Sequence, residues 1–267
     1  MAQANVDHRA LAATAARATK RKAKRTADGE SSDAKTRLLM VAERMFAERG
    51  FACTSVRDLA AEAGVNIAAV NYHFRSKEEL YLETLRYAMR QTKPINRRFA
   101  RILQQAQQAG TPEAARQGIV EFIETFVRYL YRRRPEGADY SAALMSHEML
   151  HPTAALDIVV REFIQPRFEV LTALIRLARP DLKPDLDVAF HAFSIVGQCL
   201  HVHFCRPIVL QLVREEKLTA SFLRRLARHI AEFSINGLSG VPLPTMTQGA
   251  CEETESRLES SADSSAA

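Results

Sequence analysis

The 267-residue chain is 47% hydrophobic and 25% charged, the composition of an ordinary globular protein of one or two domains with a sizeable core. No apolar run is long enough to cross a bilayer, no secretory signal is read, and the four cysteines form neither a C-x-x-C pair nor a disulfide framework, so the expectation is a cytoplasmic protein without a membrane partner. The net charge of +6 is uneven: residues 1–32 hold seven Lys/Arg against three Asp/Glu, and residues 241–267 one Arg against five acids.

Residues 1–32, with the cluster RATKRKAKR, read as a disordered basic arm, and residues 241–267 as a disordered acidic tail. The arm suits contact with nucleic-acid phosphates as well as it suits plain solubility. Its Ala/Arg-rich character faintly resembles an organelle transit peptide, but Asp7 and the compact basic cluster fit an arm better.

Between the tails the pattern is all-α. A first helix is predicted from Asp33 to Arg49, where Leu38, Ala42, Met45 and Phe46 share one stripe and Gly50 supplies the stop. In TSVRDLAAEAG, Ser55 and Asp58 have capping-box spacing, Leu59 and Ala60 point inward, and Gly64 allows a sharp turn. Asn66 caps a short third helix running through His73. Ser76 and Glu79 open a linking helix that Lys93-Pro94 ends or bends. Further helices are expected over 95–109, 112–134, 140–150, 153–179, 185–205 and 218–237, with a shorter one near 208–216, punctuated by prolines. The division is therefore a small helical headpiece with its linking helix at 33–93 and a larger helical domain at 94–240.

Three short helices with a glycine turn before the third form a helix-turn-helix layout, in which the third helix enters the major groove. A plain small bundle with one polar face shows the same spacing. In AGVNIAAVNYHF, Val65, Val70 and Phe74 face the other helices and leave Asn66, Ile67, Ala68, Asn71 and Tyr72 outside. Asn71 can pair with adenine, and Ile67 and Ala68 can touch a thymine methyl. Thr54, Ser55, Tyr72, His73 and Lys77 suit phosphates.

The segment TRLLMVAERMFAERGFACTSVRDLAAEAGVNIAAVNYHFRSKEELYLETL closely resembles the DNA-binding domain of TetR/AcrR-type transcriptional regulators. The VNYHF form, with SHEMLHPTAALDIVVREFIQPRFEVL and SIVGQCLHVHFCRP downstream, looks like the CecR-like branch. The resemblance implies a homodimer binding operator DNA and a variable helical domain for a small-molecule effector. It also implies DNA contact by Thr54, Ser55, the outer face of the third helix, Tyr72, His73 and Lys77. Asn71 and Ile67 depart from residues common in the family and leave the operator sequence open.

The segment HEMLH carries the H-E-x-x-H pattern of zinc hydrolases in His147, Glu148 and His151. Pro152 follows directly, so the second histidine is expected at a helix end, turned off the face of His147, and Pro166 is expected to bend the chain before the possible third ligand Glu169. A zinc hydrolase or a metal-responsive regulator is thus the alternative reading. The preferred one is a repressor that is not an enzyme, with no cofactor, no metal and no catalytic residues. Its effector is expected among Phe122, Phe126, Tyr129, His147, Met149, His151 and Phe168. The dimer surface is expected on the last two strong helices, through Phe193, Val196, Leu200, Phe204, Phe222, Leu226 and Ile230.

Overall fold

A computed structural model describes residues 33–134, 137–138, 140–183 and 185–239; the basic arm and acidic tail fall outside them. Helix α1 spans residues 33–49, with Leu38, Ala42, Met45 and Phe46 at most 2% exposed. The stripe that predicts the helix is therefore the face that it buries. Helix α2 (Val56–Ala63) starts at Ser55, whose Oγ accepts the Asp58 amide at 3.1 Å, and ends at Gly64 with φ +63°. Helix α3 (Ile67–His73) starts at Asn66, whose side chain accepts the Ala68 amide at 2.8 Å. Each cap satisfies an N–H that the helix leaves over, and is worth about 1 kcal/mol.

Helix α4 (Lys77–Gln91) opens with Ser76 Oγ accepting the Glu79 amide at 3.2 Å, while the Glu79 carboxylate accepts the Arg75 amide at 2.9 Å. The return arm of this capping box thus reaches one residue upstream of the cap. Phe46 meets Tyr81 edge-on at 4.9 Å, which fastens α4 to the headpiece core. The break after α4 falls at Thr92, and helix α5 (Lys93–Ala109) begins there with Pro94 in its first turn, where a missing N–H costs nothing.

Helix α6 (Pro112–Leu130) stops short of the expected residue 134. Arg133–Arg134 (β1) instead pairs antiparallel with Gly137–Ala138 (β2); Arg134 precedes Pro135, and a residue before proline is driven to extended backbone. Helix α7 (Ser141–Leu150) follows. The helix expected over 153–179 starts later, as α8 (Leu156–Val159), passes through one π-helical turn (Val160–Ile164) and continues as α9 (Gln165–Ala178). The wide turn lets the helix pass Pro166, which has no N–H to offer, without ending. Helix α10 (Asp185–Phe204) meets α11 (Arg206–Val213) at 81°, and α12 (Ala220–Leu238) closes the chain.

In the larger domain α6 touches α5, α9, α10 and α12, so its two faces carry the core. Phe99 and Phe122 stack there at 4.5 Å, both at 1% exposure. Sealing a side chain of that size contributes about 1.5–3 kcal/mol. Helix α7 packs on α4, the helix shared with the headpiece. Among the described residues no single helix is long and apolar enough to cross a membrane.

Candidate nucleic-acid interface and ligand cavity

The third helix has two chemically distinct sides. Val70 and Phe74, each 2% exposed, face the headpiece core. Asn66, Ala68 and Asn71 are exposed, as are Ile67 at 42% and Tyr72 at 84%. An isoleucine and a tyrosine left that open on a seven-residue helix offer contact area to something outside the chain. Ser55 stands exposed at the start of α2, and His73 is half-buried with its ring 5.3 Å from Tyr72. Lys77 lies over the Phe51 ring at 4.3 Å and donates to the Ala52 carbonyl at 3.5 Å, which holds its ammonium beside the α1–α2 loop. Thr54 is the exception among the expected contacts. It is 1% exposed, and its hydroxyl donates to the Gly50 carbonyl at 2.8 Å. Its side chain shapes the loop and does not reach outward.

In the larger domain, α6, α7, the π turn, α9 and α10 line a partly open cavity of about 140 Å³. Phe122, Phe126, Tyr129, Met149 and Phe168 line it as expected. His147 and His151 do not. The HEMLH segment turns toward the headpiece: His147 belongs to a contact between the domains, and His151 is exposed beside it. Glu148 is fully buried and accepts the Tyr81 hydroxyl of α4 at 2.8 Å, the Thr153 amide at 2.8 Å and the Thr153 hydroxyl at 3.0 Å. Burial and the neighbouring carboxylate push the Tyr81 phenol upward, so it keeps the proton it donates. The His147 ring packs on the turn at Gly50, where an added Cβ would lie 2.5 Å from its Cε1. The His151 ring is 5.0 Å from that of His147, so the proline does not carry it off that side, contrary to expectation. The backbone explains this: the His151 amide still donates to the His147 carbonyl at 2.9 Å, closing one last helical turn before Pro152. With its oxygens engaged by Tyr81 and Thr153, Glu148 has the surroundings of a structural carboxylate and not of a base beside a metal-bound water. Among the described residues no three His, Cys, Asp or Glu side chains converge on a point.

Comparison with known proteins agrees with this geometry. Residues 38–84 match the family described as bacterial regulatory proteins, tetR family, and residues 115–238 match the C-terminal domain of the HTH-type transcriptional dual regulator CecR. The dual regulator CecR of Shigella flexneri is 30% identical over 186 residues, covering 68% of this chain and 80% of that protein. The chain belongs to the TetR family of transcriptional regulators, in its CecR branch. The repressor KstR2 of Mycobacterium tuberculosis is 45% identical over 58 residues, 22% of this chain and 29% of its own. The fold is shared with AibR, solved with isovaleryl coenzyme A and operator DNA, at TM-score 0.55 and 15% identity over 75% of this chain and 97% of that one. It is shared also with FadR of Bacillus subtilis, solved with stearoyl-CoA, at TM-score 0.52 and 16% identity over 76% and 98%.

The surface that this TetR-family chain is expected to offer a second copy divides in four. Phe193 (58% exposed) and Phe204 (37%) lie open on α10, beside Phe190 at 53%. Phe222 and Leu226 are half-buried on α12, next to the exposed His229. Ile230 is 2% exposed and belongs to the chain's own core, so it does not face outward. Val196 and Leu200 are half-buried and, with Phe193, line the cavity. Helical spacing alone does not separate a wall facing an internal hollow from one facing a partner. His201 and His203 diverge as their spacing of two requires: His201 is exposed, while His203 turns in to Ser146 at 3.1 Å, and burial and then Arg206 lower its pKa.

Two features were not among the expected site residues. One is the Tyr81–Glu148 contact. The other is Arg167, which lines the cavity at 6% exposure. Its position was legible as an anomaly: Arg167 lies four residues from both Phe163 and Leu171, on the apolar stripe of α9.

Proposed function

We propose that this regulator is a repressor that binds a palindromic operator as a homodimer in the cytoplasm and is released by a small-molecule effector. The observation that supports the DNA half is the division of α3, with Val70 and Phe74 sealed while Asn66, Ile67, Ala68, Asn71 and Tyr72 form one open face. Asn71 would read adenine, Ile67 and Ala68 a thymine methyl, and Ser55, Tyr72, His73 and Lys77 the backbone. The residue 33–93 unit would carry this contact and residues 94–240 the effector and dimer functions. Paired through the open aromatic face of α10 and the half-buried Phe222 and Leu226 of α12, two copies would set two α3 helices one helical turn of DNA apart, which calls for an inverted repeat. The arm at residues 1–32 would add phosphate contacts.

The effector half rests on the cavity and on its two mechanical links to α4: Glu148 to Tyr81, and Arg167 to Thr92. A ligand releases DNA only if it prefers the arrangement with the wrong spacing between recognition helices.

The test is binding of the full-length protein to its selected genomic fragments in excess competitor DNA. Asn71→Ala and Tyr72→Ala are each expected to weaken that binding by about tenfold, from a loss of about 1–3 kcal/mol, with thermal stability unchanged. Wild-type affinity in both variants would remove α3 as the reading helix.

A further inference from the structure

We infer that the cavity is built for an apolar anion, a carboxylate on a body about the size of one aromatic ring, with Arg167 as its counter-ion. This deepens the effector reading and rests on it. Among the described residues lining the cavity Arg167 alone carries a charge, and its surroundings are aromatic: its guanidinium lies 3.7 Å from the centre of the Phe163 ring and 5.9 Å from that of Tyr129. Its hydrogen bonds go to neutral oxygens, the Phe163 carbonyl and, at 3.0 Å, the Thr92 hydroxyl. Among the described residues no carboxylate forms an ion pair with it, and its Nε–H is buried without an acceptor.

A buried charge without a counter-ion is expensive, and replacing it with an apolar side chain is often neutral or stabilising. Its retention on the wall of a hollow is therefore explained by a ligand that supplies the missing charge. Burial lowers the pKa of Arg167 to about 10, so it remains protonated at neutral pH. Once turned into the hollow, the planar guanidinium fork matches a carboxylate better than a point donor would. Size sets the part of the ligand that the hollow holds. The cavity measures about 140 Å³, close to the roughly 150 Å³ hollow that takes up benzene in an engineered lysozyme. The π-helical turn just upstream contributes Phe163 and Ile164 to this wall, and such turns recur at functional sites.

The same guanidinium reaches Thr92, the joint between α4 and α5, whose hydroxyl also donates to the Met89 carbonyl at 2.8 Å. A carboxylate drawing Arg167 into the cavity would take its donation away from that joint. Ligand charge would thus be converted into movement of the helix that carries the headpiece.

The experiment is calorimetric titration of full-length wild type, Arg167→Met and Arg167→Lys with phenylacetate, 3-phenylpropionate and 4-methylpentanoate, each against its primary amide. Wild type is expected to bind at least one acid about tenfold or more tighter than its amide. Arg167→Met should lose that preference while still binding the amide, and Arg167→Lys should keep part of it. Thermal unfolding of each variant checks that it is folded. Absence of acid binding, equal affinity for acid and amide, or a preference that survives in Arg167→Met would overturn the inference. Acids that bind with the expected preference but leave DNA affinity unchanged would uphold the anion site and refute its role as an effector switch.

Discussion

Replacing Glu148 with alanine is expected to lower the unfolding free energy by about 3 kcal/mol, the largest loss from any single change in the HEMLH segment. The carboxylate is fully buried and accepts from Tyr81 at 2.8 Å, from the Thr153 amide at 2.8 Å and from the Thr153 hydroxyl at 3.0 Å. Its removal leaves donors buried without acceptors, each costing about 1–3 kcal/mol, beside a small hollow. Tyr81→Phe deletes only one donor and should cost about 1–2 kcal/mol. The pair should be strongly non-additive, because once Glu148 is gone the Tyr81 hydroxyl has lost its purpose. Thermal unfolding of the two single variants and the double variant, at one protein concentration, measures this coupling. Additive losses would show that the two groups do not share one interaction. If HEMLH were a zinc site, stability should instead fall on chelation.

Gly50→Ala is expected to cost about 2–4 kcal/mol, from two separable causes. Gly50 has φ +79°, a conformation that puts a Cβ too close to its own backbone. That Cβ would also stand 2.5 Å from Cε1 and 2.7 Å from Nε2 of His147. Adding His147→Ala should recover the part due to the ring and leave about 1–2 kcal/mol of backbone strain. No recovery in the double variant would mean that the packing of His147 on the headpiece contributes nothing. Because Thr54 donates to the Gly50 carbonyl, the same turn also sets the entrance to α2. DNA affinity of Gly50→Ala should therefore fall together with stability.

The headpiece was the most legible part of the chain because its determinants are local. Ser55, Asn66 and Ser76 each cap the helix that follows within three residues, and Gly50 and Gly64 mark left-handed turns by identity alone. Thr54 was misplaced for the opposite reason. A threonine before a helix looks like an outward donor until the carbonyl of Gly50 is found beside it. HEMLH shows the limit more sharply. Its five residues suggest zinc chemistry, yet their surroundings are decided by Tyr81, 67 positions away, and by the Gly50 turn. A short motif does not encode such distant partners. Five aromatic or methionine residues of the cavity were readable from their helical stripes. Arg167 is harder to read from sequence, because a charge within a stripe acquires meaning only once the hollow beside it is known. For Val196 and Leu200, an apolar stripe on α10 is the same pattern whether it faces a second copy or a ligand.

Whether α3 presents its outer face to specific duplex sequences is tested by selection from a fragmented genome by full-length protein in excess competitor DNA. Enrichment of a small set of fragments sharing an inverted repeat is expected, with half-site centres about one helical turn apart or a multiple of it. The enrichment should be lost in the Asn71→Ala, Tyr72→Ala double variant. Retention of every fragment in proportion to its length, or an enrichment unaltered in that variant, would rule out α3 as the reading helix.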